Sequence, residues 1–225
     1  MQGLHFIKTD LTEEAGIELA FEIVRSMTER LDAIIHLAGI YDLNSLVEIS
    51  EEAFQKIFQV NLFALYRVNR TFLPLLRKNS RIIITSSELA PLDPLPFTGL
   101  YAMTKTAVEC YAKSLRMELQ LQDIRVIVLR PGAVDTGLLD DSMAALHAFC
   151  EQTQRYPGNA GKFRRIVKSI ETRNIRPEEV SRIISKALSA KHPKLVFKIN
   201  RNPLLLLMNA LPDRLQLLII KKLLR

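Results

Sequence analysis

Cysteine is scarce in this chain. Only Cys110 and Cys150 occur among 225 residues, too few and too scattered for a disulfide framework or for the clustered ligands of a zinc site. Both read as reduced, buried thiols. Apolar runs are short as well, and none reaches the roughly 20 residues a bilayer-crossing helix needs. No basic start followed by an apolar stretch and a small-residue cleavage site occurs, so we expect no Sec-type secretion and a cytoplasmic location. Internal repeats and low-complexity linkers are also missing. With 48% hydrophobic and 24% charged residues, the composition excludes disorder and fits one domain with a sizeable core.

The net charge of +7 is confined to one place. Residues 191–225 hold eight lysines and arginines against Asp213 alone, and the other 190 residues are balanced, with 23 basic and 23 acidic. A pI near 9.5 therefore describes a basic, leucine-rich tail and not a nucleic-acid-binding face spread over the fold.

Strand-like and helix-like segments alternate along the chain. His5–Thr9 reads as a short strand. Thr12-Glu13-Glu14 opens a helix with a capping hydroxyl and acids in its first turn, and Ile17, Ala20, Phe21, Val24 and Met27 keep helical spacing to about Arg30. Residues 32–37 are too short an apolar run for a helix and read as a buried strand. Ser50-Glu51-Glu52 opens a helix that runs towards Pro74. A strand at 81–86, a helix at 99–121 and a strand at 124–129 follow. The pattern then loosens over 135–176, resumes as a helix over 177–190 and closes with a strand at 194–197. Such alternation predicts an α/β fold, a doubly wound parallel sheet with helices on both faces.

Chemistry concentrates around Tyr101-Ala102-Met103-Thr104-Lys105. One helical turn separates the phenol from the amine, so they share a face. A neighbouring ammonium favours the phenolate, which brings a phenol with a usual pKa of ~10 closer to working pH for proton exchange with an alcohol or carbonyl. On its own this spacing is common on solvated helices.

Other features accompany it in a fixed order: Ala38-Gly39 after one strand, Asn61 in Phe58-Gln59-Val60-Asn61-Leu62, Ser87 closing Arg81–Ser87, and Arg130-Pro131-Gly132-Ala133-Val134-Asp135-Thr136 after another strand. Together they resemble the short-chain dehydrogenase/reductase family over about residues 4–200. The resemblance implies a Rossmann-like catalytic domain over 1–202, with residues 203–225 as a tail. It also implies an NAD(P)-dependent oxidoreductase acting between an alcohol and a ketone or aldehyde, and a homo-oligomer. Tyr101 would be the acid/base, Lys105 would lower its pKa and hold the nicotinamide ribose, and Ser87 would hydrogen-bond the substrate oxygen. Asn61 would support a water that links Lys105 to solvent. Ser86 stays open as an alternative to Ser87, because the family's spacing to the tyrosine is usually thirteen residues and here it is fourteen. Asp10 and Leu11 would lie near the adenine, Ala38 and Gly39 near the adenosine ribose, and Pro131, Gly132 and Thr136 near the nicotinamide carboxamide.

Two departures matter. The family's Asn-Ala-Gly is here Leu37-Ala38-Gly39, preceded by His36, which reads as structural because no carboxylate or second histidine lies at ligand spacing. The family's Gly-x-x-x-Gly-x-Gly turn, whose backbone amides receive the pyrophosphate, matches none of the eight glycines. The family's first two strands are thus expected to be absent, which leaves a bare hydrophobic sheet edge and NAD versus NADP unread. The chain is then either a fragment or a shortened relative, and the second case admits a non-catalytic interaction or membrane-associated protein. In the tail, Pro203–Met208 and Leu215–Ile220 flank Pro212. They would lie on an anionic membrane surface or fold over the substrate pocket. Leu211-Pro212-Asp213-Arg214-Leu215 is similar to the ends of retinol and hydroxysteroid dehydrogenases, which implies a small lipophilic alcohol or ketone.

Overall fold

A computed structural model describes residues 3–225, with the backbone alone at Glu171. Four parallel strands form one sheet in the order β1 (Leu31–His36), β2 (Leu76–Thr85), β3 (Arg125–Pro131), β4 (Val196–Ile199). Ile82, Ile83 and Ile84 are wholly buried, as are Val126 to Leu129 on β3. Successive strand residues face opposite sides: Ile82 and Ile84 join Val126 and Val128 in one apolar cluster, while Ile83 joins Ile127 and Leu129 in another. Helices α3 (Ala64–Phe72) and α4 (Gly99–Leu119) cover the first face, and α7 (Pro177–Ser189) covers the second. This is the Rossmann-like, doubly wound arrangement, with four strands in place of a full set.

Helix α1 (Glu14–Met27) precedes β1. Thr12 does not cap it. The Asp10 carboxylate instead accepts hydrogen bonds from the backbone N–H and the hydroxyl of Thr12, at 2.8 and 2.7 Å. His5–Thr9 is not a strand. A lone extended segment has no ladder to join once its sheet neighbour is missing, and Phe6 stands 87% exposed. The outer edge of β1 has no paired strand among the described residues.

The second long helix is interrupted. Helix α2 (Glu51–Phe58) starts at Ser50, whose hydroxyl accepts from the Ala53 N–H at 3.2 Å, and a π-turn at Gln59–Phe63 joins it to α3. The loosened stretch is more regular than its sequence suggests. It contains α5 (Gly137–Gln152) and α6 (Pro157–Glu171), packed on each other through Leu146, Phe149, Ala160 and Phe163. Helices α8 (Pro203–Asn209) and α9 (Asp213–Leu224) end the chain. Ile220 and Leu224 of α9 enter the α5–α6 cluster. Cys110 is exposed and Cys150 half-buried, contrary to the expectation of two buried thiols: Cys110 falls on the face of α4 opposite its core stripe.

Candidate active site

The carboxyl ends of β1, β2 and β3 open into a cavity of about 190 Å³, the place where open parallel sheets receive ligands. Ser87 reaches it from the end of β2, and Gly132 from the end of β3. Tyr101 and Lys105 reach it from the first turns of α4, where Leu100, Tyr101, Thr104, Lys105, Val108 and Ala112 form one buried helical stripe. The Ser87 hydroxyl lies close enough to that of Tyr101 to favour its phenolate. Ser86, one residue earlier, also lines the cavity, but its hydroxyl is engaged, donating to Glu109 at 3.0 Å. The ring of Tyr41 packs edge-on against Tyr101 with centroids 4.2 Å apart.

Burial dominates the electrostatics. It pushes the Tyr101 hydroxyl up to about 12, with the nearby Ser87 hydroxyl opposing, and it pulls the Lys105 amine down to about 8. Proximity to Lys105 was expected to bring the phenol towards neutrality, and here it does not. The amine donates to the Thr85 carbonyl at 3.3 Å and lies 5.6 Å from the centre of the phenol ring. Its own desolvation weakens it as a cation.

Asn61 is buried within the π-turn, a distortion that often re-aims a functional side chain. Its amide accepts from the Ile40 N–H at 2.8 Å and donates to the Ile40 carbonyl at 2.9 Å and to Thr104 Oγ1 at 3.1 Å. The loop after β1 is thereby tied to α4. A Cβ at Gly39 would sit 3.2 Å from Asn61 Oδ1 and 3.4 Å from Lys105 Nζ, so Asn61 adjoins the part of the cavity that Gly39 and Lys105 line. Pro131, Gly132 and Thr136 line it too. Asp10, Leu11 and Ala38 do not; the Asp10 carboxyl is held low by its bonds to Thr12.

His36 is structural in geometry. Nε2 pairs with Asn69 Oδ1 at 2.7 Å, Asn69 Nδ2 donates to the Tyr111 hydroxyl at 3.1 Å, and burial lowers the imidazole pKa. No metal-holding cluster occurs among the described residues.

Several supports gave no sequence signal. Arg130 forms a bidentate pair with Glu109, which also accepts from Ser86. Glu88 accepts from the Asn202 N–H at 2.7 Å, joining the cavity wall to the start of α8, and burial raises its carboxyl pKa. Glu48 accepts from Thr153 Oγ1 and from the N–H groups of Gln154 and Arg155, at 2.7, 2.9 and 3.0 Å. It fixes the α5–α6 turn.

A sequence profile described as short chain dehydrogenase matches residues 1–146. The chain belongs to that family. Among curated short-chain dehydrogenase relatives, a 3-ketodihydrosphingosine reductase of Bacteroides thetaiotaomicron is 26% identical over 197 residues, which is 87% of this chain and 72% of that protein. An NADPH-dependent 1-acyldihydroxyacetone phosphate reductase of Schizosaccharomyces pombe is 26% identical over 86% of this chain and 64% of its own. Against other curated relatives the chain spans about half their length, 48% in two cases. A solved 3-ketoacyl-(acyl-carrier-protein) reductase of Brucella melitensis, complexed with NADH, shares the fold at a TM-score of 0.67 and 22% identity, over 86% of this chain and 75% of that one.

Proposed function

We propose that these residues carry the catalytic half of an NAD(P)-dependent oxidoreductase that interconverts a lipophilic alcohol and its ketone or aldehyde. One observation carries this reading: Tyr101 and Ser87 line one apolar-walled cavity, with Ser87 close enough to favour the phenolate and the amine of Lys105 one helical turn away. In reduction, Tyr101 gives its proton to the substrate oxygen as negative charge builds there, and Ser87 donates a hydrogen bond to the same atom. In oxidation the phenol oxygen takes that proton. Lys105 presents a cation beside the developing phenolate, and Asn61 holds the loop that shapes the entrance.

The cofactor would supply the hydride or accept it. Tyr101, Lys105, Gly39, Pro131, Gly132 and Thr136 fit the nicotinamide-ribose half, because all six line the cavity and the backbone at Gly39 approaches the amine closely. Asp10, Leu11 and Ala38, outside the cavity, are assigned to the adenosine half. No Gly-x-x-x-Gly-x-Gly turn is present to receive the diphosphate, so the fit covers one half of a dinucleotide, NAD or NADP. Relatives named as reductases of 3-keto and 1-acyl compounds accord with a lipophilic substrate, and the open edge of β1 accords with a homo-oligomer.

The test is turnover of a panel of lipophilic ketones, followed by loss of reduced-nicotinamide absorbance. Tyr101→Phe is expected to lower the rate by about 10²–10⁴ with the fold intact; undiminished turnover rejects the mechanism.

A second reading, a cofactor-deficient protein that works by contact, is favoured by one surface. Leu204, Leu207, Leu215, Leu217, Leu218 and Leu223 are exposed beside Lys221, Lys222 and Arg225, an arrangement suited to an anionic membrane surface. No helix among the described residues is long and apolar enough to cross a membrane. Co-sedimentation with anionic vesicles is expected for the native chain and lost in Leu217→Glu/Leu218→Glu; equal pelleting of both removes this reading. Absence of NADH and NADPH binding in calorimetry would favour it over the enzyme.

A further inference from the structure

The catalytic cavity does not end at Tyr101. A second cavity of about 690 Å³ opens between α6, α8 and α9, and Leu95, Phe163, Ile166, Ile170 and Leu205 line both. These side chains form the wall that the two cavities share. The first alone is smaller than the roughly 300–1,000 Å³ usual for small-molecule sites, and the second lies within that range. Its walls are mainly leucine, isoleucine, methionine and phenylalanine side chains of α6, α8 and α9. A polar metabolite would lose water there without regaining hydrogen bonds, whereas an aliphatic chain gains on every methylene it buries.

Polar groups on this wall are few and of one sign. Lys162 and Arg165 line it and no carboxylate does. Arg165 is exposed and Lys162 half-buried, and neither has an ion-pair or side-chain hydrogen-bond partner among the described residues. Arg164 between them is engaged, at 3.0 Å from His147 Nδ1. Two unpaired cations one helical turn apart at the rim of an apolar cavity suit a single anionic headgroup.

We propose that the second cavity holds the aliphatic chain of an amphiphile whose anionic group pairs with Lys162 and Arg165 and whose hydroxyl or carbonyl reaches Tyr101 past Leu205. The reacting carbon is thus separated from the charge by the length of the chain. This deepens the oxidoreductase reading at the reacting end only, since binding of the chain requires no turnover.

Fluorescence titration of the whole protein with cis-parinaric acid and with its methyl ester, without cofactor, tests it. The native protein is expected to bind both, the acid more tightly. Lys162→Glu/Arg165→Glu is expected to weaken the acid about tenfold, equivalent to about 1.4 kcal/mol, with little change for the ester. Leu207→Asp, in an exposed part of the wall, is expected to weaken both. Displacement by hexadecanoate and by hexadecyl phosphate then tells a carboxylate headgroup from a phosphate. Failure of the folded native protein to bind either probe overturns the proposal, as does equal binding of acid and ester that charge reversal leaves unmoved. Probe binding without carbonyl turnover removes the oxidoreductase reading and leaves the cavity assigned; turnover of short ketones without probe binding does the reverse.

Discussion

Replacing Lys105 by methionine is expected to make this protein more stable at neutral pH. The lysine is 5% exposed and its amine donates one hydrogen bond, to the Thr85 carbonyl at 3.3 Å. Burial takes its pKa from the usual 10.5 to about 8. With tenfold in proton affinity worth about 1.36 kcal/mol, that drop corresponds to about 3 kcal/mol of cost below pH 8, where the folded chain must keep a buried ammonium. Methionine fills a similar shape without the charge. Losing the bond to Thr85 offsets about 1 kcal/mol, which leaves a gain of about 2 kcal/mol. For a chain of this size that raises Tm by about 4–8 °C.

The pH dependence separates this cause from better packing alone. The folded pKa of Lys105 lies below the unfolded one, so between about pH 8 and 10.5 the unfolded state binds more protons and native stability rises with pH. Tyr101 acts in the opposite sense from pH 10 towards 12, because its folded pKa is raised. Lys105→Met lacks the rise, so its advantage should shrink towards zero by about pH 10. Urea denaturation of both proteins at pH 7 and pH 9.5 measures it. A variant less stable than the native chain at pH 7, or equally advantaged at both, would refute the burial argument. Turnover should fall in the same variant, a trade of activity for stability.

Two other substitutions test the frame of the site. Glu109→Ala leaves the guanidinium of Arg130 without its counter-charge in a largely buried setting, and should cost about 3–5 kcal/mol in urea denaturation; a cost under about 1 kcal/mol would mean that Arg130 escapes to solvent. Gly132→Ala would place a Cβ 2.2 Å from the Asn200 carbonyl and 2.8 Å from the Glu88 carboxyl. It should lower Tm markedly, whereas Gly137→Ala, which meets nothing within 4 Å, serves as the control; equal behaviour of the two would contradict the crowding at the end of β3.

The strands and helices that bury a periodic face were legible in the sequence, and those that lean on a neighbour were not. Ile82-Ile83-Ile84 and Val126-Ile127-Val128-Leu129 are buried on both faces, so a bare apolar run identified them. His5–Thr9 has suitable residues, but a strand exists only through its ladder, and the partner is missing from the sheet. Helices α5 and α6 pack on each other through residues at helical spacing, Leu146 and Phe149 against Ala160, Phe163 and Val167, but Gly158, Gly161 and the basic residues around them masked the pattern of α6. Tyr101, Ser87, Lys105, Gly39 and Gly132 were visible as a constellation and meet in one cavity. The π-turn at Asn61 and the Glu109–Arg130 pair were not, since each depends on contacts across some twenty residues or more.

The choice between Ser86 and Ser87 shows how a local rule and a distant contact combine. Along β2 the even-numbered side chains, Ile82 and Ile84, face the cluster that α4 covers, and Ile83 faces the other. Ser86 continues the even series and so meets Glu109 in the middle of α4. That hydroxyl is committed to a carboxylate already engaged by Arg130, which leaves it unable to serve a substrate oxygen. Ser87 lies past the last ladder residue, Thr85, where the chain is free to turn back towards the first turn of α4. There its hydroxyl meets Tyr101. Alternation alone leaves open which series faces α4, and spacing to the tyrosine, fourteen residues from Ser87 and fifteen from Ser86 where the family has thirteen, favours Ser87 without fixing it. The bidentate Glu109–Arg130 pair decides the matter, because it draws one hydroxyl inward and leaves the other facing the cavity.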